Sequence, residues 1–298
     1  MAQTNQHPLA GRHFLKMNGL GNDFVILDGR TTPVAVEPAA ARAIADRRHG
    51  IGFDQLIVLE PSDRADLLMR ILNADGSEAG ACGNATRCIA RLVMDETGRQ
   101  DAVIETAAGL LSARDAGAWE RVTVDMGAPR LGWREIPLGR PCADTRAVPF
   151  DAGFAPLLPP TFSAVSMGNP HAIFFVEDIA AQELGRIGPL IEHDALFPER
   201  VNVSLAQVTA HDALTLAVWE RGAGLTLACG TGACAAAVAS HRAGLTGREV
   251  AVTLPGGILD IQWQEAGSET GSVLMTGAIA RDFEGELPAA LFDAGSPA

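Results

Sequence analysis

Apolar residues in this chain fall into short runs separated by polar and glycine breaks, with few long stripes of helical period. In the first half FVILD, QLIVLE, LLMRIL, AVIET and RVTVDM read as strands. In the second half HAIFFVED, VNVSLAQV, LTLAVWE, VAVTL, LDIQW and SVLM read the same way. Two helices stand out against this background: residues 84–97, ending at Gly98, and residues 231–243, ending at Gly244, each with glycine as the C-terminal stop. Ala39–Arg48 and Ile179–Leu196 supply further helical pieces. Seven of the 17 prolines lie between Pro129 and Pro160, which marks a loop-rich join. The ends, 1–11 and 286–298, read as loose tails.

The pattern repeats. Gly21-Asn22 recurs as Gly168-Asn169, and Ala81-Cys82-Gly83 as Ala228-Cys229-Gly230, both at an offset of 147 residues. At the same offset Gln55 matches Asn202, Asn73 matches Glu220, and Thr106 matches Thr253. One shared dipeptide would mean nothing. Several in register, about half a chain length apart, imply two similar halves with polar residues at matched places.

Composition then removes whole classes of function. At 298 residues the chain has material for two domains or one large one, and a 47% hydrophobic content is enough for a sizeable core. The net charge of −13 argues against nucleic acid or an anionic membrane as partner. No apolar run approaches a membrane span, and the start lacks the pattern of a secretory signal, so the expected location is cytoplasmic. Of 23 basic residues only Lys16 is lysine. A P-loop is therefore absent, and a Schiff-base cofactor could attach only there. Five cysteines (Cys82, Cys88, Cys142, Cys229, Cys234) do not suggest a disulfide framework, and their C-x5-C and C-x4-C spacings are not those of a zinc site. The expected metal and cofactor content is none.

Cys82 and Cys229 each stand directly before a helix. Amides and dipole at a helix N-terminus stabilise an anion, so a thiol there can ionise near neutral pH and the same amides can hold a carboxylate. A free cysteine is more often a small buried hydrophobe. Two of them at matched positions suggest opposed thiols, one removing a proton from a carbon and the other returning one to its far face. Gly230-x-Gly232-x-x-Ala235 fits a dinucleotide fingerprint, but the matched Gly83-Asn84-Ala85 breaks it and no βαβ unit surrounds it. Asn22, Gln55, Asn73, Asn84, Asn169 and Asn202 lie in or beside β-runs, where a plain turn is the competing reading. Glu220-Arg221 is either a surface ion pair or, eight to nine residues before Cys229, part of its surroundings. His171 is noticed only for the Gly168-Asn169-Pro170 it follows.

Taken together, Met17-Asn18-Gly19-Leu20-Gly21-Asn22-Asp23-Phe24, Gly50-Ile51-Gly52-Phe53-Asp54-Gln55, Asn73-Ala74-Asp75-Gly76-Ser77, Ala81-Cys82-Gly83-Asn84, Met167-Gly168-Asn169-Pro170-His171, Glu199-Arg200-Val201-Asn202, Glu220-Arg221-Gly222-Ala223-Gly224 and Ala228-Cys229-Gly230-Thr231-Gly232 resemble the diaminopimelate epimerases, in order and spacing from about Phe14 to Gly285. The resemblance implies an α+β fold of two pseudosymmetric domains, each a β-barrel-like sheet wrapped round a central helix, with the active site in the cleft between them. Residues 12–128, completed by a returning segment near 275–285, would form one domain and 129–274 the other. The implied reaction is pyridoxal-independent epimerisation of LL- to meso-diaminopimelate, in lysine and cell-wall precursor synthesis, by a homodimer. Cys82 and Cys229 would be the acid/base thiols, with His171 and Glu220 close to them. Gly83, Asn84, Gly230 and Thr231 would cradle the reacting carboxylate, and Asn22, Gln55, Asn73, Asn169, Asn202, Glu220 and Arg221 would bind the rest of the substrate. Asn18 and Leu225 depart from the pattern, which has His and Glu commonly at those places. A proline or hydroxyproline racemase, of similar fold and also with two cysteines, is the alternative; it would not need the distal set Asn73, Asn169, Asn202 and Arg221.

Overall fold

The computed structural model describes residues 7–151, 153, 158–265 and 271–292. Along the chain run β1 (His13–Gly19), β2 (Asn22–Asp28), α1 (Pro38–Ala45), β3 (Gln55–Glu60), β4 (Leu67–Asn73), β5 (Glu78–Ala79), α2 (Gly83–Thr97), β6 (Asp101–Thr106), β7 (Gly109–Asp115) and β8 (Arg121–Asp125). They are followed by β9 (Val148–Pro149), β10 (Thr161–Ser166), β11 (Pro170–Phe175), α3 (Leu184–Glu192), β12 (Asn202–Ala210), β13 (Ala213–Glu220), β14 (Gly224–Leu225), α4 (Gly230–Arg242), β15 (Glu249–Leu254), β16 (Gly257–Trp263), β17 (Val273–Ala278) and β18 (Ala280–Glu286). The chain divides into two units, residues 1–124 with 278–298, and residues 125–277.

Within the first unit the strands pair in the order β18-β1-β2-β3-β4-β6-β7-β8, with β5 beside β4. The pairs β2·β3 and β4·β6 are parallel and the others antiparallel. Within the second unit the order is β9-β10-β11-β12-β13-β15-β16-β17, with β14 beside β13 and parallel pairs at β11·β12 and β13·β15. The correspondence reaches the register. Phe24 opposes Gln55 as His171 opposes Asn202, and Leu72 opposes Glu78 as Trp219 opposes Leu225. The offset of 147 in the sequence is thus a repeat of the backbone.

In each unit one helix lies against the sheet's inner side. α2 packs on β1, β6 and β7, and α4 on β10, β11, β12, β13, β15 and β16. A helix enclosed in this way must be buried on most of its circumference. Gly83–Arg91, Val93 and Met94 are buried in α2, and Gly232–Ser240 in α4. The four small residues Ala235, Ala236, Ala237 and Ala239 let the second sheet approach closely. The shorter helices cover the outer side, α1 against β3 and α3 against β12, β13 and β14. Strands β2 and β3 are therefore covered on both faces, which is why they read as unbroken apolar runs rather than alternations.

Some elements differ from expectation. α1 stops at Ala45, because the Asp46 carboxylate captures the amides of Arg48 and His49 at 2.7 and 2.8 Å and turns the chain. α3 occupies only Leu184–Glu192 of the helical stretch expected over 179–196; Gln182 closes a separate turn on the Ile179 carbonyl at 3.0 Å. Asn84 lies in the first turn of α2, not at a strand. Gly98, in the left-handed region at φ 71°, ends α2 directly, whereas Ala243 caps α4 and the left-handed Gly244 follows it. The described parts of the two ends are not loose. Leu9 and Leu287 are buried, His7 stacks on Phe292 at 4.1 Å, and Leu287 exchanges backbone hydrogen bonds with Gly11 and Arg12. These apolar residues complete the core under α1, which a tail could not do. Residues 1–6 and 293–298 lie outside the described residues. Among the described residues no helix is long and apolar enough to cross a membrane.

The turn after α1 aims β3. Gly50 donates to the Asp46 carbonyl, and Ile51 and Gly52 both donate to the Ile44 carbonyl. A Cβ at position 50 would meet the carbonyl oxygens of Ala43, Ile44 and Asp46 at 2.3, 2.7 and 2.8 Å. These are rigid backbone atoms, so Gly50→Ala is expected to cost about 1–3 kcal/mol of stability, the usual cost of overpacking. Urea unfolding of the variant against the parent checks this.

Candidate active site

At the first unit's central helix, Cys82 holds the N-cap position with extended backbone, φ −146° and ψ 110°. Its Sγ accepts the Ala85 amide at 3.5 Å, taking the place of the usual hydroxyl or carboxylate cap. Asn22, opening β2, faces this helix end. Its Oδ1 accepts Asn84 Nδ2 at 3.2 Å and lies 3.7 Å from Cys82 Sγ, to which the thiol donates. Next door, Gln55 and Asn73 are directly opposed across β3 and β4, and Gln55 Nε2 donates to Asn73 Oδ1 at 3.2 Å. Asn73 Nδ2 donates to Ser77 Oγ at 3.1 Å, and the Ser77 hydroxyl donates to Asp75 at 2.6 Å. This chain of donors leaves Gln55 Oε1 as a buried acceptor with no partner among the described residues.

The second unit repeats the arrangement with different chemistry. Cys229 holds the N-cap of α4 at φ −116° and ψ 103°, and its Sγ lies 3.7 Å from Thr231 Oγ1. Gly232 follows because a Cβ there would sit 3.2 Å from that sulfur. Asn169 Nδ2 donates to Thr231 Oγ1 at 3.2 Å, and Asn169 Oδ1 meets His171 Nε2 at 3.0 Å. Asn202 ties two strands together, donating to the Pro170 carbonyl at 2.9 Å and accepting the Arg221 amide at 2.9 Å. Arg221 itself is exposed and donates to the Glu199 carbonyl at 2.9 Å. Thr226 donates to Glu220 at the end of β13.

The first unit therefore brings Asn22, Gly83 and Asn84 to Cys82, and pairs Gln55 with Asn73 across β3 and β4. The second brings Glu220, Gly230 and Thr231 to Cys229, links Asn169 and His171 to Thr231, and joins Asn202 to Arg221. His171 grips Asn169, and no hydrogen bond joins it to Cys229 among the described residues. The thiol chemistry departs from the simple helix-dipole argument. Burial first, then the Glu220 carboxylate, push the Cys229 thiol well above its ordinary value, against the Thr231 hydroxyl and the Gly232 amide. Cys88 and Cys234, buried further along the two helices, are packing residues; burial pushes the Cys88 thiol up to about 12. Cys142 donates to the Asp144 carbonyl at 3.1 Å. Sequence reasoning passed over Asp54, Asp75 and Ser77, which orient the amides, although all three lie inside the motifs quoted above.

Two half-chains, each with a helix-capping thiol and a set of carboxamides, are the copies of one duplicated module, and the comparisons with known proteins make it an isomerase's. The diaminopimelate epimerase family model matches residues 14–132 and again 163–281. A diaminopimelate epimerase of Acidiphilium cryptum is 54% identical over 95% of this chain and 98% of its own length. One from Rhodospirillum centenum is 54% identical over 96% of each. The chain belongs to the diaminopimelate epimerase family. Solved structures share the fold at low identity. A PhzF-family phenazine biosynthesis protein of Bacillus anthracis superposes with a TM-score of 0.66 at 17% identity, covering 93% of this chain and 98% of its own. A hydroxyproline epimerase of Agrobacterium vitis gives 0.65 at 16%, covering 95% and 92%. That likeness is one of fold alone, and the racemase alternative gains nothing more from it.

Burial, with a lesser contribution from Arg221, lowers the His171 pKa to about 3. Between that value and the ordinary 6.5 the unfolded chain binds a proton that the folded chain does not. This part of the stability is complete above pH ~6.5 and declines as the pH falls toward ~3. Urea unfolding at a series of pH values should show a shallower acid loss for His171→Gln than for the parent; identical slopes would show that His171 is not held neutral.

Proposed function

We propose that the protein converts LL-diaminopimelate to meso-diaminopimelate by a two-base mechanism with Cys82 and Cys229. The observation that carries this reading is the pair of cysteine N-caps at equivalent helix ends of a duplicated module, in a chain 54% identical to named diaminopimelate epimerases. One cysteine, as thiolate, takes the Cα proton and becomes a thiol. The electron pair left on carbon delocalises into the α-carboxylate, which the helix N-terminal amides stabilise. The other cysteine gives its proton to the opposite face and ends as thiolate, so the net change is inversion with no oxidant or reductant. Which cysteine is base and which acid is set by the face of Cα that carries the hydrogen, so the roles exchange with the direction of the reaction.

A cofactor-independent route suits this chain. Lys16, its only lysine, is buried and donates to Asp23 at 2.6 Å and to the Gly52 carbonyl, leaving no amine for a Schiff base. Gly83, Asn84, Gly230 and Thr231 would hold the reacting carboxylate, with Asn22, Gln55, Asn73, Asn169, Asn202 and Glu220 reading the ammonium groups and the distal centre. Arg221, whose fork suits a carboxylate, would take the distal one. A cytoplasmic homodimer is the assembly this reading expects.

Incubation of LL-diaminopimelate with reduced protein in D2O should give the meso isomer with solvent deuterium at one α-carbon. Absence of exchange would sink the reading. Cys82→Ala and Cys229→Ala should each abolish epimerisation while leaving circular dichroism unchanged. Two thiols serving one carbon also predict that mild oxidation without substrate yields a Cys82–Cys229 disulfide, found by peptide mass spectrometry, with activity restored by reductant. Separately, Arg221→Met should weaken substrate recognition by ~2–5 kcal/mol in kcat/KM, because a carboxylate loses its bidentate partner; unchanged steady-state constants would show Arg221 to be structural only.

A further inference from the structure

Asn22 presents its carbonyl oxygen, not its amino group, to Cys82 and Asn84. At the other end of the same amide, Asn22 Nδ2 donates to Asp54 Oδ2 at 3.0 Å. A carboxylate accepts and cannot donate, so an amide held against it must turn its NH2 that way and its oxygen the other. Asp54 is itself tightly placed. Its Oδ2 also accepts the Asp23 amide at 3.1 Å, and its own amide donates to Asp23 Oδ1 at 2.9 Å. Arg47 clamps both carboxylates, reaching Asp23 at 2.8 and 3.0 Å and Asp54 Oδ1 at 2.7 Å. Lys16 closes the cluster from the buried side at 2.6 Å from Asp23. Although burial alone would raise it, hydrogen bonds from Arg47 and Lys16 hold the Asp23 carboxyl below the usual range, so the clamp is ionic at any working pH.

The second unit makes the contrast. The position matched to Asp54 is Val201, and the equivalent amide, Asn169, is turned the opposite way, with Nδ2 toward Thr231 and Oδ1 toward His171. The two matched amides thus stand with opposite polarity on one backbone arrangement, and at Asn22 the Asp54 carboxylate fixes it.

We propose that Asp54, clamped by Arg47, is a positioning residue of the first catalytic thiol: it sets the polarity of the Asn22 carboxamide, so that an acceptor oxygen faces Cys82 and Asn84. This rests on the two-thiol reading above. Without Asp54 the Asn22 side chain is free to rotate and offer its NH2 to the sulfur. That breaks its bond with Asn84 and substitutes a thiolate-stabilising donor for an acceptor.

The test is a set of five proteins: parent, Asp54→Ala, Asp54→Asn, Asn22→Ala and the double variant Asn22→Ala/Asp54→Ala, which closes a cycle. Two quantities are read, steady-state turnover and the rate at which iodoacetamide alkylates Cys82 at fixed pH without substrate, followed by mass spectrometry of the Cys82 peptide. Asp54→Ala should lower kcat roughly tenfold, with a smaller change in KM, and alkylate Cys82 ~3-fold faster or more. Asp54→Asn can donate as well as accept, so it no longer fixes the Asn22 amide and should change both quantities in the same direction as Asp54→Ala. In the Asn22→Ala background the Asp54 substitution should have no further effect on alkylation. Parental alkylation and turnover in both Asp54 variants would overturn the proposal, and so would an effect that persists when Asn22 is absent, which would assign the change to lost charge. Should Asp54→Ala fail to fold, Asp54→Val takes its place in the cycle. If the parent shows no exchange in D2O, the epimerase reading fails by itself, while the alkylation cycle still reports whether Asp54 governs Cys82.

Discussion

A helix enclosed by a sheet has to find partners for the amides of its first turn, and everything near the two thiols follows from how that need is met. The first four N–H groups of a helix lack intrahelical acceptors. At a surface, water supplies them, but α2 is buried from its first residue and α4 from its third. The caps are cysteines, and sulfur is a weaker acceptor than the oxygen of Ser, Thr or Asp. Such a helix end retains positive potential and an affinity for a small anion. The fold thereby sets a thiol beside unmatched amides at a buried helix end, once in each unit.

The strands complete what the helices begin. Parallel pairing of β2 with β3 sets Phe24 opposite Gln55, and antiparallel pairing of β3 with β4 sets Gln55 opposite Asn73. Because side chains of directly opposed residues are neighbours, carboxamides distant in sequence become contiguous. They are short, neutral and able both to donate and to accept, which suits a zwitterionic amino acid better than charged groups would. Their weakness is ambiguity, since an amide turned by 180° has nearly the same shape. Asp54 and Asp75 remove that ambiguity, being groups that only accept.

Much of this was legible in the chain itself. The 147-residue offset, the helices after each Cys-Gly and the buried runs FVILD and QLIVLE all reappear as paired elements. What escaped was whatever depends on partners brought by folding. β1, with Lys16 and Asn18 among its apolar residues, shows no alternation, and the burial of Lys16 is explained only by Asp23 and Gly52. β18 is nearly all exposed and polar, so pairing with β1, not burial, makes it a strand. The depth of Cys229 was equally invisible: a helix-dipole argument read from sequence predicts an acidic thiol, while the folded chain buries that sulfur beside Glu220 and raises its pKa. Residue types announced the chemistry, but burial decided its sign.

Duplication poses a further problem for such a site. Two identical modules would present two identical thiols, whereas proton transfer across a carbon needs one acid and one base at any instant. The backbone preserves the repeat, so the difference has to come from side chains. Cys82 is half-buried and Cys229 buried. Asn84 becomes Thr231, Phe24 becomes His171, and Asp54 becomes Val201, each change touching the carboxamide that serves the thiol. On matching strands Asn22 and Asn169 stand with opposite polarity. An amide dipole reversed at hydrogen-bond distance is a large electrostatic change for a very small steric one. A duplicated fold can therefore be made chemically unequal at low cost to its packing, and the residues that do so stand one position beyond those that would touch the substrate.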